Sequence, residues 1–326
     1  MGNVPFSLKP CGKDYLWGGK RLNDEYKKNI DMFPLAETWE CSVHPDGPSV
    51  IASGNYRGKT LKEVLESNPK LLGSKASASK NLPILVKLID ASEDLSIQVH
   101  PSDEYAAVNE NGQLGKTEMW YVLDAKEDAR LVYGLSFDCT KEDIKKAIAD
   151  KTISKYLNSV KVKAGDIFFI EPGTIHAIGS GIVLAEIQEN SNLTYRLYDY
   201  DRSDKNGVKR TLHIDKALEV SKLNRSTDPK QPIRVLKYSK GQASEVLCRC
   251  KYFEVHRLIV NTGFDSFVEY ENDLESYSVL LCIDGEGKIV CMDEAIEFKK
   301  GSCIFVPSDC EKILIHGKGE FLKVRG

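Results

Sequence analysis

The sequence predicts a mainly β protein made of two jelly-roll barrels, with a few short helices inserted in or flanking the first. One observation is a run of short apolar segments separated by Gly and Pro turns between Val160 and Tyr198. Strands this short and evenly spaced are typical of barrels and jelly rolls. The other is a degenerate internal repeat, because residues 162–170 and 299–306 each carry Lys and Gly, then an apolar strand that ends near a proline.

Apolar or alternating segments bounded by turn residues predict the individual strands. In chain order, these strands are expected at 35–43, 83–89, 95–102, 115–123, 160–162, 167–170, 174–178, 182–188 and 195–198. Further short strands are expected from Val235 to the end of the segment 299–306. The strands therefore fall into two groups, one on each side of a polar connector at 227–232.

Three segments predict short helices instead. Residues 60–68 begin with a Thr cap position and a Glu three residues later, followed by apolar residues at helical spacing. Residues 139–151 are rich in helix formers, and Ile144, Ala147 and Ile148 recur at i, i+3 and i+4 after a possible Thr cap. A third helix is predicted over 213–223.

Composition argues against two classes of partner. The formal net charge is −3 at pH 7 and no segment accumulates Lys and Arg, so a nucleic-acid footprint is not expected. No apolar run approaches the roughly 20 residues that span a bilayer, and residues 1–20 lack the apolar core of a signal peptide. Nine cysteines without paired CxxC spacing are typical of free thiols in a reducing compartment. A cytoplasmic protein that binds neither nucleic acid nor membrane is predicted.

Residues 95–102 read Leu-Ser-Ile-Gln-Val-His-Pro-Ser and combine an apolar face with a polar one. In a strand, Ile97 and Val99 enter the core, whereas Gln98 and His100 share the opposite face with Ser96. A buried strand has little reason to point an amide and an imidazole the same way unless something polar lies there. The segment therefore predicts a metal ion or a charged ligand on this face.

Two other predicted strands supply further candidate ligands, Glu118 in 115–123 and His176 four residues after Pro172. Gln98 and His100 can reach one ion together, because strand residues i and i+2 lie about 7 Å apart. Two imidazoles and a carboxylate suit a divalent ion such as zinc, and a catalytic zinc site keeps an open position. A lone histidine is more often a hydrogen-bonded structural residue, and this class is assigned to His44, His213, His256 and His316.

Two basic residues are expected near these ligands. Lys116 is in phase with Glu118, and Arg196 lies in a segment where Thr194 and Tyr198 share its face. Lys and Arg beside a metal suit an anionic substrate, with phosphate as the natural choice. The alternative is a set of ion pairs, and spacing alone does not separate the two: Arg196 with Glu189 or Asp199, and Lys116 with Glu118.

Lys87 interrupts the apolar segment 83–89 with a single charge. Such a lysine either lies at a sheet edge facing water or is buried for a purpose, because an unpaired buried ammonium is costly. Both alternatives stay open at the level of the sequence.

At 326 residues the chain is long enough for two domains, and the two strand groups suggest where they divide. Residues 1–234 are predicted to form a metal-binding catalytic domain with small helical segments, and residues 235–326 a second β domain. In the second copy of the repeat, the position of His176 corresponds to Glu311, with Lys312 beside it. The second domain is therefore expected to bind no metal.

Four segments, 95–101, 115–120, 171–178 and 190–196, resemble the defining motifs of type I mannose-6-phosphate isomerases, which are zinc-dependent members of the cupin superfamily. The resemblance runs in order over most of residues 1–200, and the length is similar to that of the shorter bacterial form. It implies that both predicted domains are cupin-like.

Carried over position by position, the resemblance implies a single zinc ion per chain, bound by Gln98, His100, Glu118 and His176. It also implies active-site roles for Lys87, Lys116 and Arg196. The chain departs from the family at two places. It reads Gly-Lys-Thr-Glu at 115–118, where the family often has His-Lys-Pro-Glu, and it has Asn192 where the family has Asp.

The reaction that the resemblance implies is the interconversion of mannose 6-phosphate and fructose 6-phosphate through an enediol. Lys116, or Lys87 if it is buried, would be the base, and Arg196 would orient or neutralise the sugar phosphate. Two alternatives stay open: a catalytically silent hexose-phosphate-binding cupin, and a metal-dependent cupin oxygenase with iron on two His and one carboxylate. Gln98 and the nearby cations argue against the oxygenase. The chain is expected to act as a monomer or a homodimer.

Overall fold

The structure is a computed structural model that describes residues 3–77, 81–204, 206–227, 229, 231–263, 266–270, 272, 274–310 and 312–326. Glu311, the predicted counterpart of His176, lies outside these residues. The chain divides into two compact units. The first contains Met1–Lys13, Lys20–Leu88 and Pro232–Gly326, and the second contains Asp14–Gly19 and Ile89–Gln231. The predicted domains at 1–234 and 235–326 stay a prediction.

Strands dominate the secondary structure, as the sequence predicts. The helices are α1 (Arg21–Asp24), α2 (Leu61–Ser67), α3 (Ser74–Ser77), α4 (Asp103–Asn109), α5 (Lys141–Ala149) and α6 (Ile214–Val220). The strands are β1 (Phe6–Lys9), β2 (Cys11–Lys13), β3 (Glu37–Cys41), β4 (Val50–Ile51), β5 (Ile84–Ala91), β6 (Ile97–Val99), β7 (Glu118–Ala125), β8 (Arg130–Leu135), β9 (Leu157–Lys161), β10 (Ile167–Ile170), β11 (His176–Ile178), β12 (Ile182–Glu189), β13 (Tyr195–Tyr198), β14 (Lys237–Ser239), β15 (Gln242–Arg249), β16 (Glu254–Asn261), β17 (Val268–Tyr270), β18 (Ser278–Cys291), β19 (Glu294–Lys299), β20 (Cys303–Val306) and β21 (Ile313–Arg325). Short 3₁₀ turns lie at Gly54–Tyr56, Pro69–Leu72 and Ile153–Lys155.

Capping boxes fix the start of two of the helices. At α5, the Asp143 N–H donates to Thr140 Oγ1 at 3.1 Å, and the Thr140 N–H donates to the Asp143 carboxylate at 2.9 Å. The same reciprocal pair links Thr60 and Glu63 at α2. Such pairs satisfy N–H groups that the first helical turn leaves without acceptors. Helices α2 and α5 lie where the sequence predicts helices, and α6 lies within the predicted 213–223. Helices α1, α3 and α4 were not predicted from the sequence.

We expect Thr140→Ala to lower the free energy of unfolding by about 1 kcal/mol, because Asp143 N–H then loses its side-chain acceptor. Denaturant unfolding curves of the two proteins measure the difference. Thr152→Ala is a matched control, since Thr152 precedes a 3₁₀ turn without a side-chain capping hydrogen bond. An equal loss in both variants would contradict a specific role for the cap.

The first unit is built around a ten-stranded sheet. Its strand order is β14-β15-β16-β21-β18-β20-β1-β4, with β17 paired to β21 and β19 paired to β18. The long strands β18 and β21 pair over most of their lengths. Buried side chains from these strands and from β16, β17, β19 and β20 form one apolar core. The β2–β3 pair belongs to the same unit.

In the second unit, β7 lies between β10 and β12, and a separate sheet has the order β13-β6-β11-β8-β9. On β6, Ile97 and Val99 pack into the core that α5 and α6 also line, whereas Gln98 turns to the opposite face. The predicted alternation is confirmed at these positions. Trp120 from β7 contacts His176 from β11, with ring centroids 5.4 Å apart, so the two sheets face each other.

No strand order in the described residues closes on itself into a barrel. The predicted mainly β character is confirmed, whereas the arrangement in two jelly-roll barrels stays a prediction. In the second unit, side chains of the facing sheets contact one another between the sheets. Within the part of the chain that is described, no helix is long and apolar enough to cross a membrane.

Candidate metal centre

Three buried side chains from the facing sheets of the second unit form a cluster. His100 follows β6, Glu118 begins β7 and His176 begins β11. Their ligating atoms all lie within 4.8 Å of one another, so the cluster could hold a metal ion. Glu118 Oε1 lies 3.3 Å from His100 Nε2, and Glu118 Oε2 lies 3.8 Å from His176 Nε2.

Backbone carbonyls orient both imidazole rings. His100 Nδ1 lies 2.8 Å from the carbonyl oxygen of Leu193, and His176 Nδ1 lies 2.8 Å from that of Thr174. Because a carbonyl oxygen only accepts, each Nδ1 carries the proton and each Nε2 keeps a lone pair toward the cluster. Burial lowers the pKa of His100 to about 3, with help from Lys116, and it also lowers the pKa of His176. Both rings are therefore neutral near pH 7, the form that binds metals.

The ionisation and the hydrogen bonding of Glu118 are those of a residue that could bind a metal. Burial raises its pKa, but Lys116 and His100 outweigh this effect and hold the pKa well below its usual range. It forms an ion pair with Lys116, yet its Oε2 accepts no hydrogen bond from the described residues. An ionised carboxylate with an unused buried oxygen, beside two Nε2 lone pairs, is the donor set that a divalent cation completes.

Gln98 joins this cluster from β6. It pairs with His176 across β6 and β11, and its Nε2 lies 3.4 Å from His176 Nε2. The two ends of an amide are assigned from hydrogen bonds, and a half-turn of the group would place Oε1 toward the cluster as a ligand. The structure thus brings together all four side chains that were predicted as ligands.

Lys116 lies beside the cluster with 5% of its side chain exposed. Its Nζ is 3.4 Å from His100 Nε2 and 3.7 Å from Glu186 Oε1, in addition to the ion pair with Glu118. Lys116 therefore forms the ion pair with Glu118 that was one of the two alternatives, and it also lies next to the predicted ligands.

Glu186 is a site residue that the sequence reasoning missed. It is buried on β12 and accepts a hydrogen bond from Trp120 Nε1 at 3.0 Å. The signal that would have found it is a carboxylate inside the apolar segment 182–188, at a position opposite Trp120 in the β7–β12 pairing. A buried acid in such a strand is rare without a partner.

Arg196 pairs with Gln98 across β13 and β6. Because side chains that are direct neighbours across two strands lie on the same face of a sheet, Arg196 shares the face of Gln98. Its Nε donates to Ser96 Oγ at 3.3 Å, and its Nη1 donates to the Thr211 carbonyl at 2.9 Å. In the described residues it forms no ion pair with either predicted acid, and Asp199 instead pairs with two other arginines, Arg202 and Arg210.

Lys87 belongs to the first compact unit, whereas the cluster belongs to the second. Its side chain is 4% exposed, its Nζ lies 3.7 Å from Glu37 Oε2, and it lies 5.2 Å from the centroid of the Trp39 ring. The sequence left two alternatives for Lys87, a sheet edge facing water or burial. The structure shows burial, with Glu37 and Trp39 as neighbours.

Comparisons with known proteins match this chain over nearly its full length. Residues 6–134 match the family model of the phosphomannose isomerase type I catalytic domain, and residues 244–325 match that of the mannose-6-phosphate isomerase cupin domain. The mannose-6-phosphate isomerase ManA of Bacillus subtilis is 38% identical over 98% of this chain and 96% of its own length. The mannose-6-phosphate isomerase of Streptococcus mutans is 34% identical over 98% of this chain and 97% of its own.

A solved structure extends the likeness to three dimensions. The crystal structure of the mannose 6-phosphate isomerase from Bacillus subtilis superposes with a TM-score of 0.90 at 34% identity, covering 99% of this chain and 100% of that one. The fold is that of the cupin class, and its buried His–Glu–His cluster could hold a metal ion. The chain belongs to the type I mannose-6-phosphate isomerase family, a family of aldose–ketose isomerases. The resemblance drawn from the four sequence motifs is confirmed.

Proposed function

We propose that this chain interconverts mannose 6-phosphate and fructose 6-phosphate through an enediol, with one zinc ion held by Gln98, His100, Glu118 and His176. The observation that carries the proposal is the buried cluster in which Glu118 Oε2 accepts no hydrogen bond from the described residues while two imidazole nitrogens face it. Family membership supports the choice of substrate, since full-length relatives are named for this reaction.

Zinc is the ion that this donor set suits best, because imidazole nitrogens and a carboxylate are among its usual ligands and a catalytic zinc site keeps an open position. When bound, the ion supplies positive charge that stabilises the oxygens of an enediol. The side chains of the protein hold the sugar phosphate and move the proton.

Lys116 is the first candidate for the base that moves a proton between C2 and C1. Its amine lies 3.4 Å from His100 Nε2, beside the place where the ion and the substrate oxygens would lie. In its neutral form, Nζ can take the proton from one carbon and return it to the adjacent one. Lys87, which is buried next to Glu37, is the second candidate. Arg196 would orient the substrate or neutralise its phosphate, since a guanidinium binds such anions bidentately.

The same proposal covers the organisation of the chain. Residues 1–234 would form the metal-binding cupin domain, and residues 235–326 a metal-free cupin-like domain. All nine cysteines are free, which supports a cytoplasmic location, because reducing compartments keep thiols unpaired. A sugar phosphate is the proposed partner, bound by a monomer or a homodimer.

A coupled assay for fructose 6-phosphate tests this function. We expect the purified protein to turn over mannose 6-phosphate, and complete removal of metal with a chelator to lower the rate by at least about 10²-fold. Added zinc should restore the rate, and metal analysis should find one zinc ion per chain.

Other outcomes would favour the alternatives. Binding of mannose 6-phosphate without turnover would support the silent hexose-phosphate-binding protein. Consumption of oxygen by an iron-loaded sample would support the oxygenase. Full activity after verified metal removal would contradict the proposed metal dependence.

A further inference from the structure

The segment 115–117 carries Lys116 and leads directly into β7. Each of its three N–H groups donates to a fixed acceptor. The first donates to Asp103 Oδ1 at 2.9 Å, the second to the Pro101 carbonyl at 3.1 Å, and the third to Glu189 Oε1 at 2.8 Å. The N–H of Glu189 donates back to the last carbonyl of the segment at 3.1 Å. Two side-chain carboxyl groups therefore hold the two ends of the segment.

Close packing restricts the same segment further. A Cβ atom at Gly115 would lie 2.4 Å from the backbone nitrogen of Asp103 and 2.4 Å from the carbonyl carbon of Ser102. No side chain fits there without moving the start of α4. The backbone of Gly115 therefore lies directly against the start of α4.

The two carboxyl groups also interact with each other. Glu189 is 2% exposed, and its side chain hydrogen-bonds that of Asp103. Two carboxylates this close cannot both be ionised without strong repulsion, so the pair favours one shared proton. Burial, reinforced by Asp103, raises the pKa of Glu189 to about 7, against the donors of Thr117, which lower it.

We propose that the Asp103–Glu189 carboxyl pair positions Lys116, by holding the backbone on both sides of it so that its amine stays beside the metal cluster. The inference rests on the proposed function, in which Lys116 acts as the base. Glu189 is a positioning residue in this account, because it acts through the backbone of 115–117.

The pair should make positioning depend on pH in a defined direction. The groups that face Glu189 are Asp103 from α4 and the amide and hydroxyl of Thr117 from the segment before β7. The pKa of Glu189 is raised above its ordinary value of 4.5, so the folded protein favours the protonated form. The contribution of the pair to holding the segment 115–117 is complete below pH 4.5 and is lost as the pH rises through about 7.

Two variants at Glu189 and one control test the proposal. Glu189→Ala removes the acceptor of Thr117 N–H, and we expect kcat to fall about tenfold to a hundredfold while KM and metal content change little. Glu189→Gln keeps an acceptor and offers an amide donor to Asp103, so kcat should be retained. We expect the kcat of the wild type to decline above pH 7 as the pair loses its proton, and this decline should be absent in Glu189→Gln. Asp143→Ala removes a carboxylate that accepts the Thr140 N–H at 2.9 Å at the start of α5, and kcat should not change.

Amide hydrogen exchange at 115–117 measures the positioning without relying on catalysis. We expect Glu189→Ala to speed exchange there by at least about tenfold relative to wild type, and Glu189→Gln and Asp143→Ala to leave it unchanged. Unchanged exchange in Glu189→Ala would overturn the inference, and so would faster exchange with an unchanged kcat. If Glu189→Ala does not fold, a Glu189→Gln pH profile that keeps its decline above pH 7 would overturn it. A wild-type protein that makes no fructose 6-phosphate would refute the proposed function instead, and the exchange data would still show whether the pair holds the segment.

Discussion

Glu118→Gln is expected to abolish stoichiometric metal binding and to lower isomerase turnover by at least about 10³-fold. The substitution keeps the volume of the side chain but removes the negative charge of the cluster. Two neutral imidazoles and two amides then remain, and they attract a divalent cation far less than a carboxylate does. Metal analysis after dialysis and the fructose 6-phosphate assay measure the two effects separately.

Glu171→Gln is the matched control for this variant. Glu171 has a side chain that is 59% exposed, and it pairs with Lys222 at 2.6 Å. It should keep both the metal and the activity, because its ion pair is a solvated surface contact. A Glu118→Gln protein that bound one metal ion per chain and turned over at the wild-type rate would remove the basis of the metal site.

Lys116→Met is expected to lower kcat by about 10²- to 10⁴-fold while the metal stays bound, since that is the range that general acid–base catalysis contributes. Met has a similar length without the amine, so it leaves the four proposed ligands in place but accepts no proton. The Nζ atom lies 3.4 Å from His100 Nε2, next to the cluster that would hold the ion. The loss should therefore appear in the chemical step.

Exchange of the C2 proton of the substrate with deuterated solvent, followed by NMR, distinguishes the two candidate lysines. Lys116→Met should stop the exchange, whereas Lys222→Met should not, because Lys222 forms an exposed ion pair with Glu171. If Lys87→Met stopped the exchange and Lys116→Met did not, Lys87 would be the base. Full exchange in both variants would mean that neither lysine is.

Local patterns were sufficient for much of the fold. The capping residues at Thr60 and Thr140 predict the starts of α2 and α5, because a capping box involves residues only three apart. The alternation in 95–102 predicts that Ile97 enters the core while Gln98 faces away from it, because side chains of a strand alternate with period two. The order of the strands in each sheet could not be predicted in this way, because it depends on which distant strands share hydrogen bonds.

The candidate site, like the fold, could be predicted only in part from the sequence. Residue types, their phase on each strand and the resemblance to the family are enough to point to the four proposed ligands from the sequence. The partners of the basic residues could not be chosen from spacing. Lys116 forms an ion pair with Glu118, which was one of the two alternatives. Arg196 donates to Ser96 and Thr211 rather than to an acid.

The sequence by itself determined the mainly β class and the capped helices, because both depend on residues that are close along the chain. Residue types and the motifs of the family also pointed to the side chains that could bind a metal. Tertiary structure alone decided that Glu186 lies beside Lys116 and that Asp103 and Glu189, which hydrogen-bond each other, hold the two ends of the segment 115–117. These contacts join residues far apart in sequence. Strand pairing and burial create them, and burial also sets which of the acids is ionised.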